Sequence, residues 1–206
     1  MPDFPDLQTV ALRLLAVGLA LAAWFATQRM IAARSLVDGA PYDHLHVVTA
    51  RWNAWLHRNH GAADAILVAS SLGVDALTLF VLAFAILGPS FMPFWGLLGL
   101  FALRQVSQAV VALPRPAGVI WRHPGVPSLF VTYHVGNDFF FSGHTALAVY
   151  GAMQLASLQI PALTALGIVV ATLEAVVVIV LRAHWTMDVL AGLFAAIAVG
   201  AMVWRG

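Results

Sequence analysis

Cysteine is absent from the 206-residue chain, and so is lysine. The first absence excludes disulfide frameworks, thiolate metal sites and cysteine nucleophiles. The second leaves all ten basic residues as arginines. Charge of either sign is scarce: 9% of residues are charged, against about 25% in an ordinary soluble domain. With 62% hydrophobic residues and a mean hydropathy of +0.90, that scarcity excludes a water-soluble globule. Ten arginines against nine acids leave a net charge of +1, far from the basic balance that nucleic-acid binding needs. Internal repeats, low-complexity tracts and linkers are also lacking, so residues 1–206 read as one membrane domain. The chain starts Met1-Pro2-Asp3-Phe4-Pro5-Asp6, acidic rather than basic, so the apolar stretch that follows reads as a retained span and not as a signal peptide.

What is abundant is apolar sequence in blocks. A bilayer crossing takes roughly 20 apolar residues, and about six such blocks are present, over 9–31, 62–87, 91–113, 139–158, 161–181 and 185–204. The expected fold is therefore an all-α integral membrane bundle of six transmembrane helices, with both termini on one side. The connections Gly88-Pro89-Ser90 and Gln159-Ile160-Pro161 are short and uncharged. The longer connections, 32–61 and 114–138, share the opposite face with the junction at Arg182-Ala183-His184, and nearly all the polar residues collect there. Within the first of them, 43–60 reads as an amphipathic helix lying in the interface. It would carry Leu45, Val48, Trp52, Trp55 and Leu56 on one face, with Arg51, Arg58 and His60 elsewhere.

Charged side chains at membrane depth are costly unless paired or wet, and so are functional candidates. Asp188 follows His184 by four residues, a spacing that on a helix puts both on one face, where the carboxylate could orient the imidazole, share a metal or make a structural contact. A second cluster is Asp138-Phe139-Phe140-Phe141-Ser142-Gly143-His144-Thr145. Ser142 can cap a helix starting near Gly143, whose free backbone N–H groups form a phosphate seat. In the third cluster, Pro114 ends a helix, placing Arg115 at the surface and Arg104 about three turns deeper. Guanidinium groups match phosphate oxygens. All three clusters fall on one side of the expected topology. Two histidines, an orienting aspartate and several arginines are the parts that attack a phosphoester covalently, protonate a leaving group and neutralise charge. Glu174, nearly three turns below His184, is expected to pair with Arg104 or to serve a proton relay. Asp75 is a candidate for an interhelical polar contact.

These motifs resemble the type-2 phosphatidic acid phosphatase superfamily, and within it the sphingomyelin synthase and ceramide phosphoethanolamine synthase branch. Asp138 to Thr145 is similar to that branch's Asp-Tyr-x-Phe-Ser-Gly-His-Thr motif. His184-Trp185-Thr186-Met187-Asp188-Val189 is similar to its His-Tyr-Thr-x-Asp-Val motif, and Arg104 with Leu113-Pro114-Arg115-Pro116 resembles its third-span motif. Pro41-Tyr42-Asp43 only faintly suggests the branch's proline-rich motif. The wider superfamily has a lysine where this chain has Gln108, and an arginine where it has Val178, with Arg182 instead two residues before His184. These departures favour the synthase-like branch. The resemblance implies His184 as nucleophile forming a phosphohistidine, Asp188 orienting its ring, and His144 as the acid and then the base. It also implies Arg104, Arg115 and Arg182, with the backbone near Ser142 and Gly143, around the phosphate, and it implies no metal; Asp138, Glu174 and Gln108 are further candidates for a supporting layer, and no cofactor is expected.

The expected activity is transfer of a phospho-head group from a phospholipid to a lipid alcohol such as ceramide or diacylglycerol, sphingomyelin synthase-like. The alternative is metal-independent hydrolysis of a lipid phosphate or phospholipid at the same site. Two other classes compete: a metal-dependent membrane hydrolase or hydroxylase drawing on His44, His46, His57 and His60, and a non-enzymatic lipid transporter. The membrane is a partner in every case. The alanine-rich, lysine-free composition suggests a bacterial inner membrane. Arginines near the catalytic face point that face to the cytoplasm, whereas the resemblance implies an extracytoplasmic site, and the latter is the expectation adopted. The sequence carries no signal of oligomeric state.

Overall fold

The computed structural model describes residues 5–32, 41–131, 133 and 139–204. Among these residues it contains helices and no strands. In chain order the helices are α1 (Leu7–Ala32), α2 (His44–Val48), α3 (Ala50–Arg58), α4 (His60–Leu87), α5 (Met92–Val110), α6 (Gly143–Ser157), α7 (Pro161–Val180) and α8 (Thr186–Val203). Four of them, α1, α4, α7 and α8, are long and apolar enough to cross a membrane. The two remaining expected spans fall short of that standard for identifiable reasons. Residues 139–142 are not helical, so α6 has only 15 residues, about 22 Å. Helix α5 ends at Val110 because Val111 turns to an extended conformation three residues before Pro114, and its last two turns carry Arg104, Gln105, Ser107 and Gln108.

Local sequence explains the helix boundaries. Ser142 accepts a hydrogen bond from Thr145 N and starts α6. Pro161 opens α7 and Pro93 sits in the first turn of α5, positions where the missing N–H costs nothing. Helix α6 lies at the centre, packed against α4, α7 and α8, while α5 packs on α8 and α1 lies outside against α5 and α4. Tyr150 of α6 is fully buried and donates its hydroxyl to the Pro93 carbonyl oxygen at 2.9 Å. The bundle is held together by such contacts and by close helix approach at small residues, as expected where lipid, not water, bathes the outside. Large apolar side chains face outward on α1 (Leu12, Leu15, Leu19) and on α7 (Ile168, Val169, Leu173). In water they would form a large apolar patch; against lipid they are the natural exterior.

The segment after α1 differs from the single amphipathic helix expected over 43–60. It forms two short helices that break at Thr49 and again at Asn59, where α4 begins. Its apolar residues are also divided. Leu56, with His46 and Asn53, faces the bundle, while Val48, Trp52 and Trp55 share an outward concavity with Arg51 and Arg58. The inner positions are taken by polar side chains because they bond to loop and junction carbonyls of the site described next.

Candidate active site

Two helix starts are sewn together. Ser142 N donates to the Asp188 carbonyl oxygen at 3.0 Å, and Gly192 of α8 lies so close to Ser142 that an added Cβ would stand 2.6 Å from the Ser142 carbonyl oxygen. Only a glycine permits that approach. The junction thus brings the start of α6, with His144, beside the start of α8, with Asp188, and both beside His184.

His184 is not on α8; it sits in the turn before it, and Asp188 reaches back from the third position of the helix. The i, i+4 spacing therefore works through a helix cap and not through a shared helix face. Asp188 Oδ2 accepts a hydrogen bond from Trp185 N at 2.9 Å and lies 3.6 Å from His184 Nδ1. The direct hydrogen bond to the ring comes from elsewhere: Nδ1 lies 2.9 Å from the carbonyl oxygen of Phe139. A carbonyl only accepts, so Nδ1 carries the proton in this contact and Nε2 keeps its lone pair. The neighbouring side chain of Asp188 is fully buried.

His144 is buried, and its Nε2 has no hydrogen-bond partner among the described residues. His184 and Arg104 lie within electrostatic range of it, and the edge of the Trp121 ring packs against it with centroids 5.0 Å apart. Arg104 is buried and donates from Nε to the Phe141 carbonyl oxygen at 3.1 Å. Its guanidinium crosses Gly143, where a Cβ would lie 3.1 Å from Arg104 Nε. Gly143 thus gives passage to the arginine at the same helix start that offers free N–H groups. Because α5 ends at Val110, Arg104 lies six residues, about 9 Å, from the helix end, and not three regular turns below Arg115.

The other expected site residues are placed differently. Arg115 is exposed on the loop after α5, and Gln108 is fully buried one turn beyond Arg104. Arg182 adopts a left-handed backbone (φ 55°) and spends both terminal nitrogens on carbonyls, Nη1 on Ala117 and Nη2 on His46, each at 3.0 Å. It braces the loop and α2 around the site. Glu174 does not pair with Arg104: Ser70 of α4 donates to its Oε2 at 2.6 Å. Asp75 makes a helix-to-loop contact in place of an interhelical one, accepting from Ser128 Oγ, Leu129 N and Phe130 N. Asp138 lies outside the described residues.

Sequence reasoning missed a supporting layer contributed by α2, α3 and the loop. Asp43 caps α2 and also accepts from Thr186 N and Thr186 Oγ1, each at 2.7 Å, tying α2 to the first residue of α8. Partial burial works to raise its carboxyl, but the bonds from Thr186 and His46 outweigh that and hold it below its ordinary value of 3.8. His46 Nε2 donates to the His184 carbonyl oxygen at 3.0 Å, and its ring packs on Trp185. Asn53 donates to the carbonyls of Gly118 and Val180. Gly118 has φ +74°, and a Cβ there would meet Asn53 Oδ1 at 3.1 Å, so this loop turn requires glycine on two counts. The available signal was Asp43, an N-cap residue standing before a helical pattern. The remaining contacts use backbone carbonyls, which leave no mark in a sequence.

No curated protein and no solved structure matches the chain. A protein-family model does match, over residues 80–206, which includes α5 to α8 with Arg104, His144, Arg182, His184 and Asp188, but not the supporting Asp43 and His46. With that match covering more than half its length, the chain belongs to the PAP2 superfamily, whose members are phosphatases and phosphoesterases.

Proposed function

We propose that this protein is an integral membrane enzyme that cleaves a lipid phosphoester through a covalent phosphohistidine at His184. The observation that carries the reading is the 2.9 Å contact from His184 Nδ1 to the Phe139 carbonyl, which leaves Nε2 as the free nucleophilic nitrogen. In the first half-reaction Nε2 attacks phosphorus, the bond from phosphorus to the leaving oxygen breaks, and protonated His144 gives that oxygen its proton. In the second, neutral His144 takes the proton from an acceptor hydroxyl as its oxygen attacks phosphorus. The P–N bond then breaks, and His184 returns to its starting form. Asp188 stabilises the positively charged ring of the intermediate. Arg104, with the N–H groups at Gly143, neutralises charge on the phosphoryl oxygens, and Arg115 meets the substrate from the loop. Arg182 holds the loop and α2 in place.

The motif at Asp138 to Thr145 and that at His184 to Val189 favour a lipid alcohol as acceptor, which makes the overall reaction sphingomyelin synthase-like head-group transfer. The family match favours a second reading, in which water is the acceptor and the product is a dephosphorylated or head-group-free lipid. We read the chain as one domain of six spans, with α5 and α6 crossing inside the four longer helices and α3 lying in the interface. The active site faces the extracytoplasmic side of a bacterial inner membrane. The discriminating experiment incubates purified protein and chelator with phospholipids and lipid phosphates, with and without ceramide or diacylglycerol, and resolves products by mass spectrometry. New phospholipid that depends on the acceptor establishes transfer, and acceptor-independent release establishes hydrolysis. Turnover that survives His184→Ala refutes the mechanism.

A further inference from the structure

A groove of about 410 Å³ runs between α6, α7 and α8, within the size range of ligand sites, about 300–1,000 Å³. Its upper end is lined by Thr145 and Val189, the residues that follow His144 and Asp188 in the chain. Its lower end is lined by Ala156, Thr164 and Trp204. From Thr145 to Ala156 the helix advances about 16 Å, close to the depth of one leaflet, half of a hydrocarbon core of about 30 Å. The groove exists because alanines stand where larger apolar residues would fill it: Ala156 on α6, and Ala175 on α7, which packs against the cluster containing Val189.

We infer that this groove holds one acyl chain of the lipid substrate and sets the chain length the enzyme prefers. The inference rests on the reading of His144 and His184 as the reacting pair. A lipid whose phosphorus lies between those histidines has its apolar part directed towards Thr145 and Val189, and the groove continues from there in the direction a tail must take. An annular lipid would have no reason to prefer a crevice that begins at the chain neighbours of His144 and Asp188 and ends about one leaflet deep. Burial of each further methylene stabilises the complex until the chain reaches Trp204; longer chains must bend out between the helices.

The test uses a homologous series of whichever phospholipid or lipid phosphate the product assay shows to be cleaved, with any acceptor it requires, its chains running from much shorter than the groove to longer than it, in mixed micelles. The variants are Ala156→Phe and Thr164→Leu at the lower end and Ala175→Phe at the upper end. Lower-end filling should reduce kcat/KM for long chains about tenfold, the scale at which a pocket discriminates single methylenes, and leave short-chain turnover unchanged. Ala175→Phe should move the cut-off to shorter chains. An equal loss at every chain length, or a wild-type length profile in all three variants, overturns the proposal. A second measurement needs no variant: a non-cleavable phosphonate lipid with a photoreactive group at its chain end should cross-link near Ala156, Thr164 or Trp204. Cross-links on α1 or α5 instead overturn it. Failure of the enzymatic reading looks different, since it appears as no His184-dependent turnover at any chain length.

Discussion

At the scale of single residues, the proposed histidine chemistry depends on partners that fix protons. The Phe139 carbonyl sets the tautomer of His184, and the Asp188 carboxyl lies 3.6 Å from the ring while capping α8 through Trp185 N. Asp188→Asn keeps a carbonyl oxygen for that cap but removes the charge. It should lower kcat at least about 10-fold, but by less than the roughly 10⁴-fold found where the carboxylate itself sets the tautomer, with KM unchanged in steady-state assays. Asp43 offers a pH signature. Its carboxyl is held below its ordinary value of 3.8, so its stabilising contribution is fully present above that value and is lost as pH falls through the depressed one. Wild type should therefore melt above Asp43→Asn at neutral pH, and the gap should close as pH drops below about 4. A gap that is constant with pH would contradict this assignment. His144, His184, Asp188 and the Ser142 cap were legible in the sequence because each is a side chain in a local pattern. The Phe139 carbonyl and the bracing role of Arg182 were not, since backbone acceptors and the direction of a long side chain are decided by packing.

At the scale of elements, the site is a junction of two helix starts, and glycine decides how closely they meet. Gly192→Ala would set a methyl 2.6 Å from the Ser142 carbonyl oxygen, wedging α8 from α6. It should cost about 1–3 kcal/mol, as overpacking generally does, and should lower activity even where the protein remains folded. Gly99, exposed on α5 with nothing within 4 Å of an added Cβ, is the internal control. Gly99→Ala should raise stability by up to about 1 kcal/mol. Thermal unfolding in detergent compares the two, and equal shifts would contradict the close-approach account. The existence of each long helix was readable from its apolar block, and the starts of α6 after Ser142 and of α7 at Pro161 were readable from residue type. The early end of α5 was not, because apolar residues continue past Val110 to Leu113. The division of the 43–60 segment into two helices followed from contacts of His46 and Asn53 with distant carbonyls.

At the scale of the whole molecule, an apolar exterior and a polar junction at one end imply a bilayer with the chemistry at one surface. In the proposed reading, six crossings with an extracytoplasmic site require both termini in the cytoplasm. A C-terminal fusion should be active as green fluorescent protein and inactive as alkaline phosphatase; the reverse would place the site in the cytoplasm. The side-by-side polar clusters were foreseeable from the order of the apolar blocks, whereas the span count depends on how α5 and α6 sit among the longer helices. The central claim, a covalent intermediate on His184, is tested most directly by rapid acid-free quenching of the protein with substrate labelled at phosphorus. The account predicts label on His184, stable to alkali and released by acid, and absent from His184→Ala, which should also lack turnover. Label on another residue, or turnover in His184→Ala, would contradict it.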